Sequence, residues 1–386
     1  MEDIRKAALE VLLHNIRGPF HGLPRTAGWG YPEPYTRDWM LSALGILVSG
    51  NDELMDGLRR MLVALGETQS PLGNIASLAH DPMDRGASDT TPLFLIALAL
   101  FRSVTGEQNF LEEAASKALN WLQYQGPDDM VMTAQQPTSD WRDEQWVWGY
   151  GLYVNTLVYA SLRLHGLNER AQTLKDLINH TGVGEIRDGV RYHEGLSLAD
   201  KPYYALWVYK VHISQRFDLL GNSLAILFGL PEKNRASRIA DWVEAACNDL
   251  RASGILAGDL PPCLFPFILE QDEDWLPRYN LFNKPGHYHN GGIWPFTVGC
   301  YVAALVAAGQ LELARSKFTS LCKLVEPARR VGLKYGFNEW FRAQDCSAQG
   351  EDWQTWSAAM FLYAAECVDT GGIPFFQGLA GGDKVS

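Results

Sequence analysis

The feature that most constrains this chain is an alternation. Helical periodicity is readable over most of its 386 residues, and the helices it predicts are of two kinds. One kind is apolar all round, as in Leu93-Phe-Leu-Ile-Ala-Leu-Ala-Leu-Phe101. The other keeps a polar face, as in 109–122 and 168–178. A helix apolar on every side has to be enclosed on every side, and an amphipathic helix can cover it from outside. Helices are expected near 3–16, 38–49, 53–66, 91–104, 109–123, 148–165, 168–182, 218–229, 233–251, 293–308, 311–324 and 353–370. Gly50-Asn-Asp, Thr105-Gly-Glu and His165-Gly-Leu-Asn mark stops between them. The even-numbered helices are the more apolar. An inner ring of six inside an outer ring of six follows: an all-α chain, an (α/α)6 barrel of about twelve helices, forming one domain over 1–386. Strand signals are few; 184–193 alternates and contains Asp-Gly, which suggests a hairpin.

In such a barrel the connections from inner to outer helices are short, and the returning ones are long. The long ones gather at the N-terminal end of the inner helices, and six of them carry acid, aromatic and amide residues. They read Tyr35-Thr-Arg-Asp-Trp39, Ala87-Ser-Asp-Thr-Thr91, Ser139-Asp-Trp-Arg-Asp-Glu144, Arg216-Phe-Asp-Leu219, Tyr288-His-Asn-Gly-Gly-Ile-Trp-Pro295 and Asn338-Glu-Trp-Phe341, the last followed by Asp352-Trp-Gln-Thr-Trp356. Functional residues commonly sit on loops held by a rigid scaffold, so these segments are expected to build one pocket.

Bulk properties narrow the chemistry. A net charge of −12 argues against nucleic acid, which calls for a basic surface. The longest apolar run, 93–101, is too short to span a bilayer, and the N-terminal segment does not resemble a signal peptide. The six cysteines are far apart, with no Cys-x-x-Cys pair, which reads as buried thiols. A soluble, cytoplasmic protein is expected. No metal and no other cofactor is called for: His287 and His289 have no partners at zinc-like spacing. No Gly-rich phosphate loop and no Gly-x-Ser-x-Gly elbow occurs. Thirteen Trp and fifteen Tyr suit a half-polar, flat ligand such as a sugar, although core packing uses the same residues.

Two carboxylates stand out. Asp143 lies between Trp141 and Trp146, and Glu339 between Phe337 and the Trp340-Phe341 pair. Loss of hydration among aromatic rings raises a carboxyl pKa and lets it keep a proton near neutrality. Glycoside hydrolysis needs one protonated carboxyl and one ionised carboxylate on opposite faces of the sugar. The competing account of Asp38, Asp89, Asp143 and Asp218 is helix N-capping.

These motifs resemble the glycoside hydrolases of the alkaline/neutral invertase type and, more distantly, the glucosidase domain of glycogen debranching enzymes. Thr36-Arg-Asp-Trp-Met-Leu-Ser-Ala-Leu44, Phe217-Asp-Leu-Leu-Gly-Asn-Ser-Leu-Ala-Ile226, Tyr288-His-Asn-Gly-Gly-Ile-Trp-Pro295 and Gln354-Thr-Trp-Ser-Ala-Ala359 are similar to family segments and occur in family order. The resemblance implies an (α/α)6 barrel, no metal and two acidic catalysts. Asp143 falls on the general acid and Glu339 on the second catalytic acid, a base in an inverting reaction. Arg37, Asp38, Asp89, His289, Asn290, Trp294 and Gln354 fall on positions expected to line the sugar subsites. Tyr35, Trp39, Trp141, Tyr150, Asp218 and Trp356, on or beside the same loops, complete the candidate binding set. The chain departs from the invertases at Ser88-Asp-Thr-Thr-Pro-Leu-Phe94 and, after the acid, at Glu144-Gln-Trp-Val-Trp-Gly-Tyr-Gly151, a stretch expected to touch the leaving group.

The expected function is therefore removal of a terminal sugar from a small saccharide, with an α-glucosidic bond such as that of sucrose preferred. A sugar 2-epimerase on the same barrel and a non-catalytic carbohydrate-binding protein are the alternatives. The expected partner is a small saccharide, with neither nucleic acid nor membrane, and a homo-oligomer is possible through an apolar outer face.

Overall fold

A computed structural model describes residues 2–126, 131–180, 185–187, 190–192, 195–210 and 212–380. The helices are α1 (Glu2–Asn15), α2 (Thr36–Ser49), α3 (Asp52–Thr68), α4 (Thr90–Thr105), α5 (Glu112–Gln123), α6 (Leu152–Leu164) and α7 (Asn168–Asn179), then α8 (Leu219–Leu227), α9 (Lys233–Ala252), α10 (Pro295–Ala307), α11 (Leu311–Leu324), α12 (Thr355–Thr370) and a final turn, α13 (Gln377–Ala380). The even-numbered helices close a ring: α2 packs on α4, α4 on α6, α6 on α8, α8 on α10, α10 on α12, and α12 back on α2. The chain is an (α/α)6 barrel.

Burial explains the alternation seen in the sequence. Every residue of α8 is buried, as is every residue of α10 but its last, because each packs between two inner neighbours, with α11 behind α10. The outer helices bury a stripe; in α3 it is Leu54, Gly57, Leu58, Met61, Leu62 and Leu65, the 3.6-residue period of a one-sided helix. Inner helices also approach closely. A Cβ on Gly45 of α2 would come within 2.0 Å of the Ala359 carbonyl oxygen in α12, so only glycine fits there.

Connections 50–51, 106–111, 165–167, 228–232 and 308–310 are short, while 16–35, 69–89, 124–151, 180–218, 253–294 and 325–354 are long and return to the inner-helix N-termini. The long ones carry the strands: β1 (Tyr150–Gly151), β2 (Glu185–Arg187), β3 (Val190–Tyr192), β4 (Trp207–Tyr209), β5 (His212–Ser214), β6 (Phe217–Asp218), β7 (Leu264–Phe265), β8 (Trp340–Phe341) and β9 (Ala348–Gln349). They pair as β1-β4-β5, β2-β3, β6-β7 and β8-β9. The expected hairpin is present as β2 and β3, paired antiparallel with Ile186 opposite Arg191; its Asp-Gly turn lies outside the described residues. Five helices, α5, α6, α8, α10 and α12, start later than their periodicity predicts, and for two of them a strand pairing is the reason. Gly149, with φ +71°, pairs with Gln135, which delays α6 to Leu152. Asp218 pairs with Leu264 in a β-ladder, so α8 begins after it. Among the described residues no helix is long and apolar enough to cross a membrane.

Candidate active site

One cavity opens among the long connections. Its lining is Thr26, Tyr31, Tyr35, Arg37, Asp38, Trp141, Asp143, Tyr288, His289, Trp294, Glu339, Gln354 and Trp356. Its volume of about 110 Å³ holds several waters, at about 10–15 Å³ for each. The structure thus brings together Asp143 and Glu339, and with them Tyr35, Arg37, Asp38, Trp141, His289, Trp294, Gln354 and Trp356. Roomier surface hollows, such as the one along Arg59, Arg60 and His80, gather no comparable set of acids.

Glu339 is placed by its loop. Its backbone N–H donates to the Glu351 carbonyl at 2.9 Å, Asn338 donates to Asp352 at 2.6 Å, and Ser357 donates to the Asn338 carbonyl at 3.0 Å. Phe341 and Ile293 exchange two backbone bonds of 2.8 Å, which ties this loop to the one carrying His289. The carboxylate lies against Gly350, where a Cβ would stand 2.2 Å from Oε2. The side chain is only 5% exposed. Burial, reinforced by the charges of Asp38 and Asp143 and opposed by a backbone hydrogen bond from Glu351, pushes its pKa up to about 8.

Asp143 sits at the mouth. Its side chain is 60% exposed to the cavity solvent, yet it stands deep enough among protein atoms that lost hydration raises its pKa, with Glu144, Asp140 and Asp89 adding to the rise and Arg37 opposing it. His289 Nε2 stands 4.0 Å from Asp143 Oδ1. Burial, with Arg142 and Arg37 nearby, holds the imidazole neutral, so this contact is not an ion pair. A third acid, Asp38, accepts from Gln354 Nε2 at 2.9 Å. Burial lifts it to about 7, against the pull of Arg37 and the Gln354 bond.

Two arginine–carboxylate groups stand at the cavity wall and behind it. Arg37 donates to both oxygens of Asp89, at 2.5 and 3.1 Å, and Tyr153 donates to the same carboxylate at 3.3 Å. Arg142 donates to Asp140 at 3.0 Å and stands 3.0 Å from Asp218 Oδ2, with all three side chains buried. Gln135 and the Arg142 backbone N–H complete Asp140. Neither Asp89 nor Asp218 caps its helix through its side chain; each faces an arginine instead, and Asp143 adjoins no helix. N-capping therefore accounts for none of these three, and Asp38 lies inside the first turn of α2.

The walls are aromatic. Trp141 meets His289, Trp294 and Phe296 edge-on at 5.1, 5.4 and 5.3 Å. Tyr288 stacks on His289 at 4.0 Å, and Phe296 on Trp356 at 4.0 Å. Tyr288, Phe337 and Trp353 all hold positive φ, at 43°, 40° and 58°. Left-handed backbone is costly for such bulky residues and is kept where surrounding contacts over-determine it, often at functional sites.

Five expected binding residues do not line the cavity. Trp39 is buried, its indole N–H given to the Arg25 carbonyl at 3.0 Å. Asn290 spends its amide on Ile268 and Asn283, building the turn that presents His289. Asp89 and Asp218 are the partners of Arg37 and Arg142, and Tyr150 is buried in β1 opposite Val208. Conversely, Thr26, Tyr31 and Tyr288 line the cavity without having been singled out. Tyr288 stood inside a recognised motif, and Tyr31 follows Trp29 in a Gly/Pro/aromatic loop before α2. The members of the Asp140–Arg142–Asp218 cluster stood in two of the quoted loops, but no sequence signal paired them. Among the described residues no group of three or more His, Cys, Asp or Glu could hold a metal ion.

Comparison with known proteins agrees with this picture. Residues 199–370 match the family model of the alkaline and neutral invertases. Alkaline/neutral invertase E, chloroplastic, of Arabidopsis thaliana is 31% identical over 160 residues, which cover 40% of this chain and 23% of that protein. Cytosolic invertase 1 of Oryza sativa subsp. japonica is 28% identical over 153 residues, 39% of this chain and 25% of that one. The chain thus spans about a quarter of the length of the curated relatives it matches. Among solved structures, the GH63 mannosylglycerate hydrolase of Thermus thermophilus, in complex with Tris and D-glycerate, superposes with a TM-score of 0.66 at 15% identity, covering 93% of this chain and 99% of that one. A structure described as a wild-type glycosidase superposes with a TM-score of 0.63 at 14% identity, covering 95% and 96%. In sequence, residues 199–370 resemble the alkaline and neutral invertases, and nearly the whole chain shares the (α/α)6 barrel of solved glycosidases.

Proposed function

We propose that residues 1–386 form one catalytic domain, an inverting glycoside hydrolase that removes a terminal sugar from a small saccharide. An α-glucosidic bond such as that of sucrose is the preferred target. The observation that carries this reading is the convergence of Asp143 and Glu339, from separate long loops, on one cavity walled by tryptophan. Asp143, at the mouth, protonates the glycosidic oxygen as its bond to the anomeric carbon breaks. Glu339, deeper in, takes a proton from water as the water oxygen bonds to that carbon from the opposite face. Arg37, fixed by Asp89, and Asp38, fixed by Gln354, hold hydroxyls of the cleaved ring, and Trp294 and Trp356 pack on its apolar face.

Burial deeper than at Asp143 favours a proton on Glu339. Acid Asp143 with ionised Glu339 is then the minority combination, and kcat/KM is expected to follow a bell whose limbs belong to Asp38, Asp143 and Glu339 as a coupled set.

Incubating the protein with a disaccharide panel, sucrose first, and following products by NMR tests the reading. Release of a free monosaccharide with inverted anomeric configuration is the expected result. Tight binding without turnover across the panel would favour a carbohydrate-binding protein, and isomerisation of a free sugar a 2-epimerase. The epimerase reading has little support in the cavity, where His289 is the one histidine among the described lining residues.

A further inference from the structure

The residues that follow Asp143, itself a lining residue, are fastened to a second loop. Trp146 N–H donates to the Tyr279 hydroxyl at 3.0 Å, Asn283 Nδ2 donates to the Glu144 carbonyl at 2.7 Å, and Arg278 pairs with the Glu144 carboxylate. Segments 144–146 and 278–283 are therefore one clamped unit. On that unit three large apolar side chains face solvent: Trp146 is 48% exposed, Phe282 54% and Leu281 74%. The Phe282 ring meets Tyr288, itself a lining residue, with centroids 6.4 Å apart. Phe282 thus links the exposed apolar side chains of this unit to the cavity wall, and Trp146 follows Asp143 by three residues. Apolar side chains gathered at the rim of a concave polar site mark ligand-binding surface rather than incidental exposure.

The charges nearby are equally one-sided. Arg37 is the only cation among the described lining residues, and both oxygens of Asp89 occupy it. Arg142 is taken by Asp140 and Asp218, and Arg278 by Glu144. Against these stand Asp38, Asp143 and Glu339 in the cavity and Glu144 at its rim. Within the cavity lining, a carboxylate on the leaving group would meet like charge and one cation already held by Asp89.

We infer that the Trp146–Leu281–Phe282 ledge is the leaving-group subsite, and that it selects an uncharged leaving group with a flat apolar face, a neutral sugar ring or an aryl group, over a carboxylated one. The inference rests on the hydrolase reading for which side of the cavity holds the leaving group. It goes beyond that reading by bringing in Leu281 and Phe282 from a second loop and by stating which kind of leaving group the ledge selects.

Binding to the Glu339→Gln variant separates the two claims, because it needs no turnover. The probes are the methyl, phenyl and 4-carboxyphenyl α-glucosides and the matching α-mannosides, with Kd read by calorimetry. Phenyl glycosides are expected to bind about tenfold tighter than methyl ones, the size of a good stacking contact, and 4-carboxyphenyl glycosides more weakly than phenyl. Adding Trp146→Ala or Phe282→Ala is expected to reduce the phenyl-over-methyl ratio severalfold; both side chains are about half exposed, so folding is not at stake. Equal Kd values for phenyl and methyl probes, tighter binding of the carboxylated probe, no binding of any probe, or a ratio unmoved in both double variants would each overturn the ledge. Failure of the wild-type protein to hydrolyse any of these glycosides would instead overturn the catalytic reading, and the order of Kd values would still stand or fall on its own.

Discussion

Two groups of acids flank the same cavity wall and are built in opposite ways. In the Asp140–Arg142–Asp218 cluster a fully buried guanidinium sits between two carboxylates, and Asp140 also accepts from Gln135 and from a backbone N–H. Burial works to raise Asp140, but Arg142 and these hydrogen bonds outweigh it and hold the pKa below the ordinary value. In the cavity, Asp38, Asp143 and Glu339 share one arginine already committed to Asp89, and all three are pushed upward, burial first. Across the Arg142 guanidinium, Asp218 is raised because burial outweighs the arginine there, so within the cluster it is Asp140 whose charge is held as structure. Charge left short of partners can move a proton at modest cost, which acid–base chemistry needs.

The comparison can be broken most directly by neutralising one acid at a time. Asp143→Asn and Glu339→Gln are each expected to lower kcat by about 10²–10⁴-fold, the range for a lost general acid or base, while leaving the far-UV spectrum and the fold intact. A variant retaining full activity would remove its residue from the assignment. Arg142→Met should do the reverse in kind. It strands Asp140 and Asp218 without a cation, which is expected to cost about 3–5 kcal/mol of stability, as breaking a buried ion pair from one side does, measured by urea unfolding. A loss below about 1 kcal/mol would mean that water enters the cluster.

The pH dependence of stability sharpens the contrast. Glu339 ordinarily ionises near 4.5 and in the folded chain near 8, so the folded state binds this proton more tightly than the unfolded one. Its contribution is whole below about 4.5 and is lost as pH rises through about 8. Glu339→Gln should accordingly match the wild type at pH 5 and be the more stable protein at pH 9, by a few kcal/mol on the order-of-magnitude scale of such shifts. Asp140, held low, has the opposite sign: its contribution is present above the ordinary carboxylate range and lost as pH falls. The smallest expected effect is a displacement. The charge of Asp38 helps to raise Glu339, so Asp38→Asn should move the alkaline limb of the kcat/KM profile to lower pH. An unmoved limb would show that Asp38 has no part in setting the Glu339 titration.

How much of this was legible in the sequence follows from the range over which each signal acts. The start of α4, at Thr90, lies within one residue of the position read from the apolar run 93–101, because a helix writes its burial into neighbouring residues at fixed spacing. Asp143 and Glu339 could be singled out because their aromatic neighbours are adjacent in the chain. Asn290 and Trp39 sit in equally suggestive motifs, yet the structure turns both inward as bracing. A motif fixes which residues come together, and the direction of each side chain depends on hydrogen bonds made to distant loops. The pairing of Arg142 with Asp218, or of Arg37 with Asp89, joins residues from different turns of the barrel and left no local trace.

By itself, then, the chain's sequence determined the alternating helices, the ring they close and the end at which its acids and tryptophans collect, since periodicity and loop length are local properties. Only the tertiary structure decided which acids face the cavity short of partners and which are locked to arginine, because that depends on burial and on groups brought within about 3–4 Å of one another by folding.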